Sequence, residues 1–195
     1  MGPKVEARLI RHGFYPRGGG RIEVEITPAP LTPIDCIERG ALRNVSATAL
    51  FAGLPFDIAD REIETARKLL NWPHEAFAVR QLPDGSGPGN ALLLKADYGQ
   101  VTEIVTGFGQ LGVPARALAK TAANRMAGYQ ASQAFAGPYL QDQLVLPFVL
   151  ARGGTFTTVK PGGHLLTACE GAERFTGIRP ALVQRGDGIH EFRIG

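Results

Sequence analysis

VSATALFAGLPFDIADREIETARKLL, residues 45–70, changes its hydrophobic period part-way along, and that change decides the fold class. Val45 to Ala52 is a short apolar run that reads as a strand. Beyond it Asp57 is placed to cap a helix in which Ile63, Ala66, Leu69 and Leu70 recur at helical spacing, and Trp72-Pro73 is where that helix should end. Phe77 to Leu82, Asn90 to Tyr98 and Val101 to Gly107 read as further strands, and Pro114 opens a long helix running to about Ala134. The order strand, helix, three strands, helix predicts an α/β layer with its helices packed against one sheet. Asp84-Gly85-Ser86-Gly87-Pro88-Gly89 reads as a hairpin turn; it joins strand to strand and lacks the Lys-Ser/Thr ending of a phosphate loop.

Working outward, Val5 to Ile10 and Gly20 to Ile26 alternate apolar with polar residues around the turn Pro16-Arg17-Gly18-Gly19-Gly20, the pattern of a β-hairpin. The Pro-rich stretch Thr27 to Pro33 cannot continue a ladder and marks a domain crossing. On the other side, Tyr139 to Leu150 is an apolar helix, expected to be buried on most sides and kinked at Pro147. Thr155 to Val159 is a β-branched strand, and Pro161-Gly162-Gly163 a tight loop feeding a helix from about His164 to Phe175. Ala181 to Arg185 and Ile189 to Ile194 read as a terminal hairpin.

The 195 residues are 44% hydrophobic and 20% charged, enough to bury a sizeable core. No window approaches the roughly 18 apolar residues of a membrane span, so a cytoplasmic protein is expected. Cys36 and Cys169 have no CxxC or CxxxH neighbour, which indicates neither a disulfide framework nor a zinc site. A net charge of +3, spread without any Lys/Arg run, permits a polyanionic partner without demanding one.

His164 follows Lys160-Pro161-Gly162-Gly163 and begins a helix. Backbone N–H groups and the positive end of the helix dipole favour an anion there and disfavour a protonated imidazole, which suits a neutral nucleophile. A helix-capping or surface histidine fits the same local sequence. Gln141, Asp142 and Gln143 interrupt an apolar helix near its start, and polar groups there need a partner, either protein or ligand. His12, His74 and His190 read as surface or structural residues, His190 facing outward. Phe108, within Thr106-Gly107-Phe108-Gly109, is a stacking candidate or an ordinary packing residue.

Three segments, in order and spacing, resemble RNA 3'-terminal phosphate cyclases. Arg11-His12-Gly13-Phe14-Tyr15-Pro16-Arg17-Gly18-Gly19-Gly20-Arg21-Ile22 fits the family's glycine signature. Gly137-Pro138-Tyr139-Leu140-Gln141-Asp142-Gln143 with Leu146-Pro147, and Gly154-Thr155-Phe156-Thr157-Thr158 leading to His164-Leu165-Leu166-Thr167, are the others. Val101 to Gly109 is similar as well.

The resemblance implies an ATP-dependent enzyme that converts an RNA 3'-phosphate into a 2',3'-cyclic phosphate, assisted by a divalent metal, Mg or Mn. By position His164 corresponds to the adenylylated nucleophile, and Tyr139, Leu140, Gln141, Asp142 and Gln143 to the nucleotide-binding segment; metal ligands cannot be carried over. The implied fold is a large domain of repeated β-α units with an inserted smaller thioredoxin-like α/β domain. The large domain would be residues 1–39 and 135–195 and the insert 40–134. The family carries a substantial section before the glycine signature, so the large domain is expected to be incomplete, with exposed edges suited to self-association or to pairing with the missing section. The alternatives are a non-catalytic cyclase-like factor of ribosome assembly and an inactive cyclase fragment.

Overall fold

The computed structural model describes residues 2–83 and 85–195, and the fold is α+β. Strands β1 (Lys4–Arg11) and β2 (Arg21–Thr27) form an antiparallel ribbon, as the alternation predicts. Its register sets Val5 against Ile26, Ala7 against Val24 and Leu9 against Ile22. One face of the ribbon is therefore aliphatic, and it is open to solvent, Ile22 being 65% exposed. After the prolines, β3 (Asp35–Cys36) is two residues long.

The next unit contains β4 (Leu42–Ala52), α1 (Phe56–Leu69), a 3-10 turn at His74–Ala76, β5 (Phe77–Gln81), β6 (Gly89–Tyr98), β7 (Thr102–Phe108) and α2 (Ala115–Ser132). Its sheet runs β5-β4-β6-β7; β4 and β5 are parallel and joined through α1, and the remaining pairs are antiparallel. Alternation puts Ala47, Ala49, Phe51, Leu92, Leu94 and Val105 into one core, where Ile63 and Ala66 of α1 and Leu118, Ala122 and Met126 of α2 cover them.

The remaining elements are α3 (Leu140–Ala151), β8 (Gly154–Thr158), α4 (Gly163–Thr176), β9 (Ala181–Gln184), a 3-10 turn at Gly186–Gly188 and β10 (His190–Ile194). With β3 they form the sheet β3-β8-β10-β9. Its core is aromatic: Phe156 stacks on Phe192 at 4.5 Å between centroids, and Phe148 meets Phe156 edge-on at 5.3 Å.

Arg39 enters the first of these units at 6% exposure, yet its guanidinium is satisfied. It donates to the carbonyls of Tyr129 and Gln130 at 2.8 and 2.6 Å, near the end of α2, and lies 4.4 Å over the Tyr98 ring. Terminal helix carbonyls carry partial negative charge, so this cation replaces the water they would otherwise need.

Several details differ from the sequence reading. Asp57 does not cap α1; Pro55 is the N-cap, without a side-chain bond, and Asp57 in the first turn pairs with Arg61 at 2.8 Å. The helix ends at Leu69, because Leu70 adopts an extended backbone and buries its side chain. The 84–89 segment is not a hairpin turn: β4 lies between β5 and β6, so the connection crosses over. Of that segment, Asp84 lies outside the described residues. Gly87 and Gly89 are glycine for close approach, since a Cβ on Gly89 would sit 2.4 Å from Phe14 of the β1–β2 loop. The Phe14 amide donates to the Ser86 carbonyl at 2.7 Å, docking loop on loop. α3 is not buried on most sides: Leu146 and Leu150 are more than half exposed. His190 is half-buried with its Nδ1 enclosed, not turned outward.

Replacing Arg39 with Met removes the charge-assisted bonds while keeping most of the volume. We expect a loss of roughly 2–4 kcal/mol in urea unfolding, against no change if Arg39 merely fills space.

Candidate functional site

Two of the three segments singled out beforehand, 137–143 and 154–167, meet around one buried amide; the glycine signature of residues 11–22 docks elsewhere, its Phe14 against the 86–89 loop. Gln141, in the first turn of α3, is 2% exposed. Its Nε2 donates to the Pro138 carbonyl at 3.2 Å, and its Oε1 accepts from the Thr158 hydroxyl, the last residue of β8, at 3.1 Å. Thr158 Oγ1 also lies 3.2 Å from the Ala136 carbonyl. A Cβ on Gly162 would stand 3.4 Å from Gln141 Nε2, so the loop before α4 passes directly over the amide. The partner this glutamine needs is thus supplied by the protein.

Gly162 is the N-cap of α4, and no side chain caps the helix. His164, its second residue, is exposed while Leu165 beside it is fully buried in the aromatic core. The histidine thus stands at an open helix N-terminus whose first amides have no side-chain acceptor, a setting that attracts anions. Asp142 is half-buried, Gln143 exposed, and Leu140 packs against the core around Phe148.

Beside α3 is a cleft of about 640 Å³ between β7 and α2. Phe108, 64% exposed, and Tyr139, 42% exposed, both line it, together with Gln143, Thr106, Thr121 and Arg125. Arg125 donates to the Tyr139 hydroxyl and lies 5.9 Å from its ring centroid. Of the residues singled out from sequence, Tyr139, Gln143 and Phe108 therefore share this cleft. Leu140, Gln141 and Asp142 are not in its lining, nor is His164; Gln141 links the two places.

Sequence reasoning missed Arg125 and Glu103. Ala117, Thr121 and Arg125 recur every four residues, which puts them on one face of α2. Glu103 shares strand parity with Val105, and that parity marks an inward position. It is 3% exposed, and its Oε1 has no hydrogen-bond partner among the described residues. Gly137 lies against this carboxyl, where a Cβ would stand 2.1 Å from Oε1. Burial pushes Glu103 up to about 7, with the Gly137 amide pulling the other way.

The family model described as RNA 3'-terminal phosphate cyclase (RTC), insert domain, matches residues 37–131. Proteins named RNA 3'-terminal phosphate cyclase are similar over most of the chain. That of Koribacter versatilis is 44% identical over 171 residues, covering 87% of this chain and 48% of the relative. Those of Pseudomonas aeruginosa and Ectopseudomonas mendocina are 38% and 36% identical, over 92% and 97% of this chain and 52% and 55% of their own. The chain belongs to the RNA 3'-terminal phosphate cyclase family. It spans about half the length of the curated relatives it matches.

The raised Glu103 means that the folded protein keeps a proton which the unfolded chain releases between about pH 4.5 and 7. Its contribution is fully present below 4.5 and is lost as pH rises through about 7. Glu62, raised to about 7 by its own burial, adds a contribution of the same sign. Glu103→Gln should flatten the fall in stability between pH 5 and 8 and raise stability at pH 8 by on the order of 1–3 kcal/mol; urea unfolding at the two pH values measures it, and an unchanged slope would contradict the assignment.

Proposed function

We propose that this chain carries the nucleophile and the adenine-binding cleft of an ATP-dependent RNA 3'-terminal phosphate cyclase. The observation that supports it best is the junction at Gln141, which joins the Tyr139–Gln143 segment to the uncapped helix bearing His164. In this reading residues 1–39 and 135–195 belong to the large domain, residues 40–134 form the insert, and the protein works in the cytoplasm. No helix among the described residues is long and apolar enough to cross a membrane.

One imidazole nitrogen of His164 attacks the α-phosphorus of ATP, forming an N–P bond as the bond to pyrophosphate breaks. An oxygen of the RNA 3'-phosphate then attacks that phosphorus and releases the imidazole, leaving a mixed anhydride. The neighbouring 2'-OH attacks the RNA phosphorus, loses its proton and expels AMP. A phosphate monoester is a poor electrophile, and the anhydride supplies the leaving group that makes ring closure feasible. The uncapped amides of α4 favour anionic phosphate beside His164. The cleft has the chemistry of an adenine pocket, with two exposed aromatic rings for stacking, Gln143 for hydrogen bonding and Arg125 near its rim. Among the described residues no three His, Cys, Asp or Glu side chains come together as a metal site; we assign the divalent ion to the triphosphate, where it offsets charge.

The test uses this chain together with the section that its relatives carry beyond it, ATP, Mn or Mg, and an RNA oligonucleotide ending in a 3'-phosphate. ATP-dependent conversion to a phosphatase-resistant end is expected. His164→Ala should lower it about a thousandfold or more, and Tyr139→Ala should raise KM for ATP about tenfold through lost stacking. Full activity in His164→Ala would refute the reading.

A further inference from the structure

The cleft beside α3 has walls from two units: Thr106 and Phe108 of β7 with Thr121 and Arg125 of α2 on one side, Tyr139 and Gln143 on the other. Tyr139 is the N-cap of α3, so its backbone is set by the helix, yet its side chain is largely in solvent. An aromatic ring in such a place exchanges between rotamers unless something holds its far end. Arg125 does so: its Nη1 donates to the Tyr139 hydroxyl, and the guanidinium carbon lies 5.9 Å from the ring centroid.

The anchor behind that bond is rigid. Leu118, Ala119, Ala122, Ala123 and Met126 bury one side of α2 in the core of its unit, and Arg39 binds the carbonyls of Tyr129 and Gln130 near the helix end. A donor carried on a packed helix fixes its acceptor more closely than one carried on a loop. Arg125 is also the one charged residue in the cleft's lining among the described residues, and it makes no ion pair among them. Its charge is turned onto a hydroxyl that belongs to the opposite wall.

We propose that Arg125 is a positioning residue, which holds the Tyr139 ring in the orientation that a purine stacks on, so that the unit of β4–β7 and α2 presets the nucleotide cleft from across the boundary. The proposal rests on the reading of this cleft as the base site for ATP. Without the bond the ring is present but free to turn, and the entropy of ordering it falls on ligand binding. The loss therefore lies in affinity for the nucleotide. His164 is outside the cleft's lining, so the transfer step is not where Arg125 acts.

The test is a double-mutant cycle in this chain joined by the section that its relatives carry beyond it. Calorimetric titration with α,β-methylene-ATP, whose carbon bridge cannot release pyrophosphate, reads affinity without transfer. Arg125→Met and Tyr139→Phe should each weaken binding about three- to fivefold, and the double variant should be no weaker than the weaker single one, because both remove the same bond. Arg125→Lys should recover part of the affinity, since an ammonium still donates to the hydroxyl. With ATP itself, the kinetics of adenylylation should show the loss in KM and not in kcat. Full affinity in Arg125→Met, multiplied losses in the double variant, a loss confined to kcat, or no binding of the analogue by the unsubstituted protein overturns the proposal; multiplied losses would mean that Arg125 meets the nucleotide itself. Such a failure with His164 still adenylylated would leave the cyclase reading standing. The expected binding pattern without any adduct on His164 would instead remove the nucleophile and leave the role of Arg125 intact.

Discussion

The buried amide of Gln141 is the constraint on which the rest of the site depends. It binds the Pro138 carbonyl on one side and the Thr158 hydroxyl on the other, and Gly162 runs over it. Three points of the chain are thereby held at fixed separation: the entry to α3, the end of β8 and the cap of α4. An amide at 2% exposure does this because leaving either of its ends unpaired is costly, so the geometry that satisfies both is strongly preferred. His164 inherits its position from that requirement and remains exposed itself, with Leu165 anchoring the helix in the aromatic core.

The same economy governs the boundary between the two cored units. Each has its own sheet and its own packed interior, one aliphatic with many alanines and the other centred on Phe148, Phe156 and Phe192. Polar groups of low exposure bridge them: Arg39 reaches the end of α2, and Glu103 faces Gly137. Buried polar contacts fix orientation more tightly than apolar ones, because a slip leaves groups unsatisfied. Tyr139 and Gln143 therefore face Phe108 and Arg125 across a cleft of set width.

Most of the elements were legible in the sequence because their periods are clear. The switch from β4 to α1, the Gly-rich hairpin, the helix behind Pro114 and the terminal hairpin all follow from local pattern. What failed to show was decided by contacts distant in sequence. The glycines between β5 and β6 look like a hairpin turn, yet β4 takes the space between those strands and Phe14 arrives from the first ribbon. The polar cluster in α3 gave no hint that Gln141 would turn inward to Thr158 while Gln143 turned to the cleft. Glu103 was readable from strand parity with Val105, but Arg125 gained meaning only when Tyr139 was found beside it.

The central claim is that His164 is the nucleophile held in place by this junction. Its most direct test is peptide mapping by mass spectrometry after exposure of the chain, joined by the section its relatives carry beyond it, to ATP and a divalent metal. The account predicts an AMP adduct on the α4 peptide, localised to His164, labile in acid and stable in alkali. An adduct on any other residue, or its persistence in His164→Ala, would contradict it.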